Sequence, residues 1–170
     1  MSSYLKKMLV MFLMMGGMFL APALAKADSG YTPTEYGGNF GLGLEFGEPG
    51  SWGATGKIWL DRTNAIQPAV KFNDGGSAIL QLDYLWHNFD IISMRNSSGE
   101  MPLYIGVGGN LVLQNTVEIA ARLPLGISYI FNKRNVPVDI YLQAVPTLWF
   151  PTGNTTVFDI YGELGAHYYF

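Results

Sequence analysis

Cysteine is absent from this chain, histidine occurs twice and charge is scarce, and each shortage excludes something. Without cysteine there is no disulfide to staple the fold and no lipid-modified cysteine behind an export signal. Two histidines and no cysteine are a poor start for a metal centre, so no metal or other cofactor is expected. Charged residues make up 14% of the chain, well below the quarter to a third that a water-facing surface usually carries. The net charge of −3 leaves no basic footprint for nucleic acid. Beyond residue 27 no apolar run approaches the ~20 residues of a spanning helix, so any membrane span has to be built from strands.

What is present begins with an export signal. Lys6 and Lys7 precede an apolar run from Met8 to Leu20, and Ala25-Lys26-Ala27 supplies a small-x-small cleavage site before Asp28. The run is short for a membrane anchor and carries Gly16 and Gly17. The expected organisation is a signal peptide over 1–27, a polar periplasmic leader over 28–38 and one β-domain over 39–170. Loss of Lys6, Lys7 and Lys26 with the signal moves the net charge from −3 to −6.

From Asn39 the residues alternate at period two, the mark of strands with one apolar and one polar face. Phe40, Leu42, Leu44 and Phe46 oppose Gly41, Gly43, Glu45 and Gly47. A second strand over about 52–60 carries Thr55 and Lys57 on its polar side, with Trp59 anomalously among them. A third, over about 65–72, sets Gln67 and Lys71 against Val70 and Phe72, with Pro68 weakening it. The hairpin signal Asn73-Asp74-Gly75-Gly76 leads to a fourth strand, Leu80, Leu82, Tyr84 and Trp86 against Gln81, Asp83 and His87, extending towards Ile92. A fifth covers 103–113 and a sixth 117–131, with Glu118, Arg122 and Ser128 on its polar face. The seventh carries Asp139, Tyr141 and Gln143 and ends in a long loop over 146–156. The closing strand, 157–170, sets Phe158, Ile160, Leu164, Tyr168 and Phe170 against Asp159, Glu163 and His167.

Eight segments of this kind predict an all-β, eight-stranded antiparallel transmembrane β-barrel, an up-and-down meander. The soluble alternative is a lipocalin-like barrel with apolar residues inside and charges outside. The low charge favours the membrane arrangement, with apolar faces on lipid and polar faces in the lumen. An eight-stranded interior is just wide enough for side chains to fill. Glu45, Lys57, Asp83, His87, Glu118, Arg122, Asp139, Glu163 and His167 are therefore expected to form a polar lumen network of paired charges, joined by Lys71 and Asp159.

A catalytic histidine, carboxylate and hydroxyl set is the sharper alternative. Asp83 with His87 and Glu163 with His167 stand four apart, about 13 Å along a strand, too far to bond within it. Any dyad would have to join neighbouring strands. No catalytic residue is assigned. Gly106-Val107-Gly108-Gly109 is not a nucleotide fingerprint, since no helix follows.

The overall pattern over 39–170 resembles the OmpA/OmpX-type small barrels. More narrowly, Gly47-Glu48-Pro49-Gly50, Asp83-Tyr84-Leu85-Trp86-His87, Leu103-Tyr104-Ile105-Gly106-Val107-Gly108, Arg122-Leu123-Pro124-Leu125-Gly126 and Tyr168-Tyr169-Phe170 resemble an uncharacterised family of small bacterial outer-membrane proteins. That resemblance implies a barrel at the surface of a Gram-negative cell and brings no activity with it. It also implies that the terminal aromatics Tyr168 and Phe170 form the signal read by the barrel-assembly machinery. The expected function is non-enzymatic, structural or surface-interacting, for a monomer whose partners are outer-membrane lipid, the assembly machinery and some unidentified surface partner. The alternatives are an outer-membrane lipid-modifying enzyme, or a narrow pore or carrier of a small apolar ligand.

Overall fold

The structure, a computed structural model, describes residues 32–34, 37–47, 50–92, 99–114, 116–131, 136–150 and 156–170. The expected signal peptide lies outside these residues. Alternation from Phe40 onwards becomes ten strand segments: β1 (Phe40–Gly47), β2 (Ser51–Trp59), β3 (Asn64–Asn73), β4 (Ala78–Asn88), β5 (Gly99–Glu100), β6 (Leu103–Leu113), β7 (Val117–Arg122), β8 (Leu125–Phe131), β9 (Val138–Phe150) and β10 (Val157–Tyr169). β5 and β6 keep one register against the strand that follows, and β7 and β8 are halves of a single strand interrupted at Leu123-Pro124. Eight antiparallel strands result, and β10 pairs back onto β1, so the sheet is closed. Closure removes the sticky edge that the aromatic last strand would otherwise present.

The stagger can be read from the register. Stepping across successive partners from His167 leads to Gly43, Thr55, Ala69, Gln81, Asn110, Ala120 and Trp149. The next partner is Val157, back on β10 and ten residues from the start. A barrel of eight strands with this shear tilts its strands by about 35–45° and keeps a side-chain-filled interior.

The prolines cost ladder bonds without moving the register. Between β2 and β3 the pairing is unbroken except opposite Gly56 and Lys57, where Pro68 lacks a donor. Its carbonyl instead accepts the Thr55 hydroxyl at 3.3 Å. At the β7–β8 break Gly106 N donates to Pro124 O at 2.7 Å and Leu123 N to Pro146 O at 2.9 Å. Only the proline donors are missing, so the strand passes straight through.

Two boundaries differ from expectation. The loop expected from Pro146 is strand as far as Phe150, because Pro146, Thr147, Leu148 and Trp149 pair with Ile160, Asp159, Phe158 and Val157. What remains of that loop, 151–155, lies outside the described residues. β4 stops at Asn88 instead of reaching Ile92, where the Asn88 side chain accepts Asp90 N at 2.9 Å and bends the chain into an Asx turn.

The start of β1 and the end of β10 meet at one end of the barrel, called here the terminal end. Gly38 N donates to Phe170 O and Phe170 N to Phe40 O. Part of the expected leader tucks against this end, where Thr34 is buried and its hydroxyl accepts Gly37 N at 2.9 Å. The turn between β2 and β3 also lies here. Asp61 Oδ1 accepts Thr63 N and Asn64 N, each at 2.8 Å. Slight burial would push the Asp61 carboxyl up, but these bonds outweigh it and hold it below the usual carboxylate range. The opposite, far end carries the turns after β1, β3, β6 and β9, with Gly76 in the left-handed region (φ 75°) closing the second of them.

The outer face is apolar all the way round. Leu44, Phe46, Trp52, Phe72, Ile105 and Leu142 are among many large apolar side chains exposed there. The charges turn inward, the reverse of the lipocalin arrangement.

A packed ionic lumen beneath an open vestibule

The inward positions of the strands bring three layers together. At the terminal end Trp59, Ala65, Ile130 and Tyr169 form a buried cluster with Phe89 packed against it. Trp59, the anomalous residue of β2, thus points into the lumen, where its indole N–H donates to Tyr169 Oη at 3.0 Å. His87 belongs here too, apart from the ionic groups. Its ring lies 4.4 Å from Trp59 and 5.0 Å from Tyr104, and its Nδ1 is 3.3 Å from Thr63 O. Leu85, Tyr104 and Tyr141 make a second apolar cluster beside it.

Asp139 organises the next group. Its carboxylate meets Lys57 Nζ at 3.3 Å, His167 Nδ1 at 2.8 Å and the Tyr169 hydroxyl at 2.8 Å. All four side chains are buried, so the carboxylate is neutralised by direct partners instead of water. His167 also places Nε2 3.3 Å from Thr55 Oγ1, across strands β10, β1 and β2. Acid, imidazole and hydroxyl therefore stand in the order of a catalytic relay. Thr55 Oγ1, however, is also 3.3 Å from Pro68 O, and Thr55 and His167 are 2% and 1% exposed. Tyr141 stacks on the imidazole at 5.1 Å and covers it. No face of this relay is open to a substrate.

The third layer is a chain of charges across the barrel. Glu45 pairs with Lys71 at 2.7 Å, Lys71 with Glu163, Glu163 with Arg122, and Arg122 Nε with Asp83 at 3.0 Å. Arg122 spreads its fork over two carboxylates and the Asn110 side chain, which a lysine could not do. Uncharged groups take the remaining lone pairs. Tyr141 Oη donates to Glu45 at 2.6 Å, Gln67 to Glu45 at 3.2 Å, Gln143 to Glu163 at 2.6 Å and Gln81 to Asp83 at 3.1 Å. The tyrosines and glutamines were visible only as polar-register positions, and nothing within one strand marks which carboxylate each would reach.

Above this layer the far end is open. A cavity of about 320 Å³ has Lys71 and Glu163 in its floor and Ile79, Val112, Trp149 and Tyr161 in its walls. Glu118 and Asp159 line it as well. Both were expected within the network, but Glu118 is half-buried, Asp159 is exposed, and neither forms an ion pair among the described residues. Ser128 is buried elsewhere in the lumen, without a hydrogen-bond partner for its hydroxyl. Tyr168 and Phe170 lie on the outer face at the terminal end, their rings 5.1 Å apart edge to face.

Comparison with known protein families, with curated proteins and with solved structures found no match. What stands is the class the geometry defines: a closed, eight-stranded antiparallel barrel with an ionic lumen and an apolar exterior.

Proposed function

We propose that the chain is an outer-membrane β-barrel protein of bacterial type, non-conducting and non-enzymatic, serving a structural or surface-interaction role. One observation carries the reading: the apolar residues face outward around the whole barrel while Glu45, Lys57, Lys71, Asp83, Arg122, Asp139 and Glu163 are paired inside. Such a surface in water would be a single continuous adhesive patch, whereas in a bilayer it is the required solvent match. The terminal end would face the periplasm and the far end, with its vestibule, the exterior. The small-barrel resemblance of the sequence agrees with this, as does the export signal expected over 1–27.

The packed lumen argues against a pore. Glu45, Lys57, Gln67 and Asp139 are wholly buried, so they border no aqueous path. The buried Asp139–His167–Thr55 relay is read as structural for the same reason. The mature chain should stay folded only in detergent or lipid, and should migrate faster unboiled than boiled on a gel. A monodisperse, folded protein in plain buffer would overturn the membrane reading.

A further inference from the structure

We propose that the far-end vestibule is a binding site for a small organic cation, an ammonium or guanidinium group carried on an apolar body. Its charge is the first reason. Five carboxylates line or underlie it, Glu45, Asp83, Glu118, Asp159 and Glu163, against two bases, Lys71 and Arg122. Both bases are already engaged by the three deeper acids. Glu118 and Asp159, nearer the mouth, have no cation of their own among the described residues. A cleft of one sign between low-dielectric walls concentrates ions of the opposite sign.

The second reason is a preset aromatic wall. The Trp149 indole N–H donates to Tyr161 Oη at 2.9 Å, and that hydroxyl donates to Asp159 Oδ2 at 3.2 Å. The two rings stand edge to face, 6.3 Å apart. This relay fixes an indole, a phenol and a carboxylate together before any ligand arrives, which reduces the ordering cost of binding. An indole face beside a carboxylate is a setting that favours a cation over a neutral group of equal size. Ile79, Val112 and Val157 supply apolar contact for the rest of the ligand.

The chemistry excludes other classes. An anion would meet Glu118 and Asp159 first. No group of three or more histidine, cysteine or acidic side chains able to hold a metal ion occurs among the described residues. The cavity, about 320 Å³, lies at the small end of ligand pockets. The inference concerns the folded barrel itself and goes beyond the proposal on location.

The test uses the full-length mature barrel refolded in a nonionic detergent, with NMR of the Trp149 indole N–H as readout. Benzyltrimethylammonium is the probe, with phenylacetate and benzyl alcohol as anionic and neutral comparisons. The expected result is a saturable shift with the cation alone, weakened by added salt. E118Q combined with D159N should weaken binding at least tenfold while keeping the fast unboiled gel mobility of the closed barrel. Absence of a saturable shift, or an equal one with phenylacetate or benzyl alcohol, would overturn the proposal in the unmodified protein. So would unchanged affinity in the folded double variant. A failure of either kind would leave the membrane reading intact, because that rests on detergent dependence.

Discussion

Arg122 is the residue on which the lumen charge balance turns. It touches Asp83 and Glu163, both buried, and among the described residues no other base forms an ion pair with Asp83. Arg122→Ala should therefore destabilise the barrel by about 3–5 kcal/mol, the cost of stranding a buried charge, read from denaturant unfolding in detergent. A loss below about 1 kcal/mol would show that water reaches these carboxylates and screens them. Gly108 tests the same contact from the other side. A β-carbon there would lie 1.9 Å from Asp83 Oδ1 and 2.4 Å from Leu82 O. Gly108→Ala must push Asp83 off Arg122 or move the backbone of β4. It should destabilise by about 1–3 kcal/mol, as overpacking does, and unfolding midpoints unchanged from the parent would contradict the packing described. That Arg122 would face the lumen was legible from alternation. That it would bridge Asp83 and Glu163 was not, because those residues come from strands far apart in sequence.

At the scale of the strand, period two and turn chemistry carried most of the fold, and proline was the misleading signal. Pro146 reads as the start of a loop, yet a proline here removes one donor while its carbonyl still accepts Leu123 N. The partner strand β10 therefore holds β9 in register beyond it. Glycine was legible by position and illegible by reason. Gly43 faces inward where β1 meets β10, and a β-carbon there would sit 1.6 Å from Ala166 O, whereas at Gly162 it would meet nothing within 4 Å. Gly43→Ala should thus lower the denaturant midpoint markedly, and Gly162→Ala should leave it unchanged or raise it slightly. Equal effects of the two would mean that backbone proximity does not decide which glycines are required. Deleting Phe170 removes an exposed ring and two backbone bonds, to Gly38 and Phe40, that tie the last residue to the start of β1. The truncated chain should refold in detergent with a loss of about 1.5–3 kcal/mol for the ring, yet accumulate poorly in the outer membrane. Normal cellular levels would show that the terminal aromatic is no assembly signal.

For the whole molecule the decisive quantity is the shear of the barrel, which no single strand reveals. The ten-residue stagger places Glu118 and Asp159 above the ionic layer and His87 below it, although all three share the inward register of their strands. Alternation could say that they face inward and could not say at what height. Height is what separates a paired charge from one free to meet a ligand. It also sets two barriers in series along the lumen, the charged layer around Arg122 and the aromatic cluster of Trp59, Ile130 and Tyr169. The protein inserted in a planar bilayer should therefore show no conductance steps, and Arg122→Ala should be silent as well, because the aromatic cluster still closes the terminal end. Steady conductance in the unmodified barrel would contradict the packing of both layers. Steps appearing only in Arg122→Ala would show that the ionic layer alone seals the lumen, with the aromatic cluster leaving a path for water.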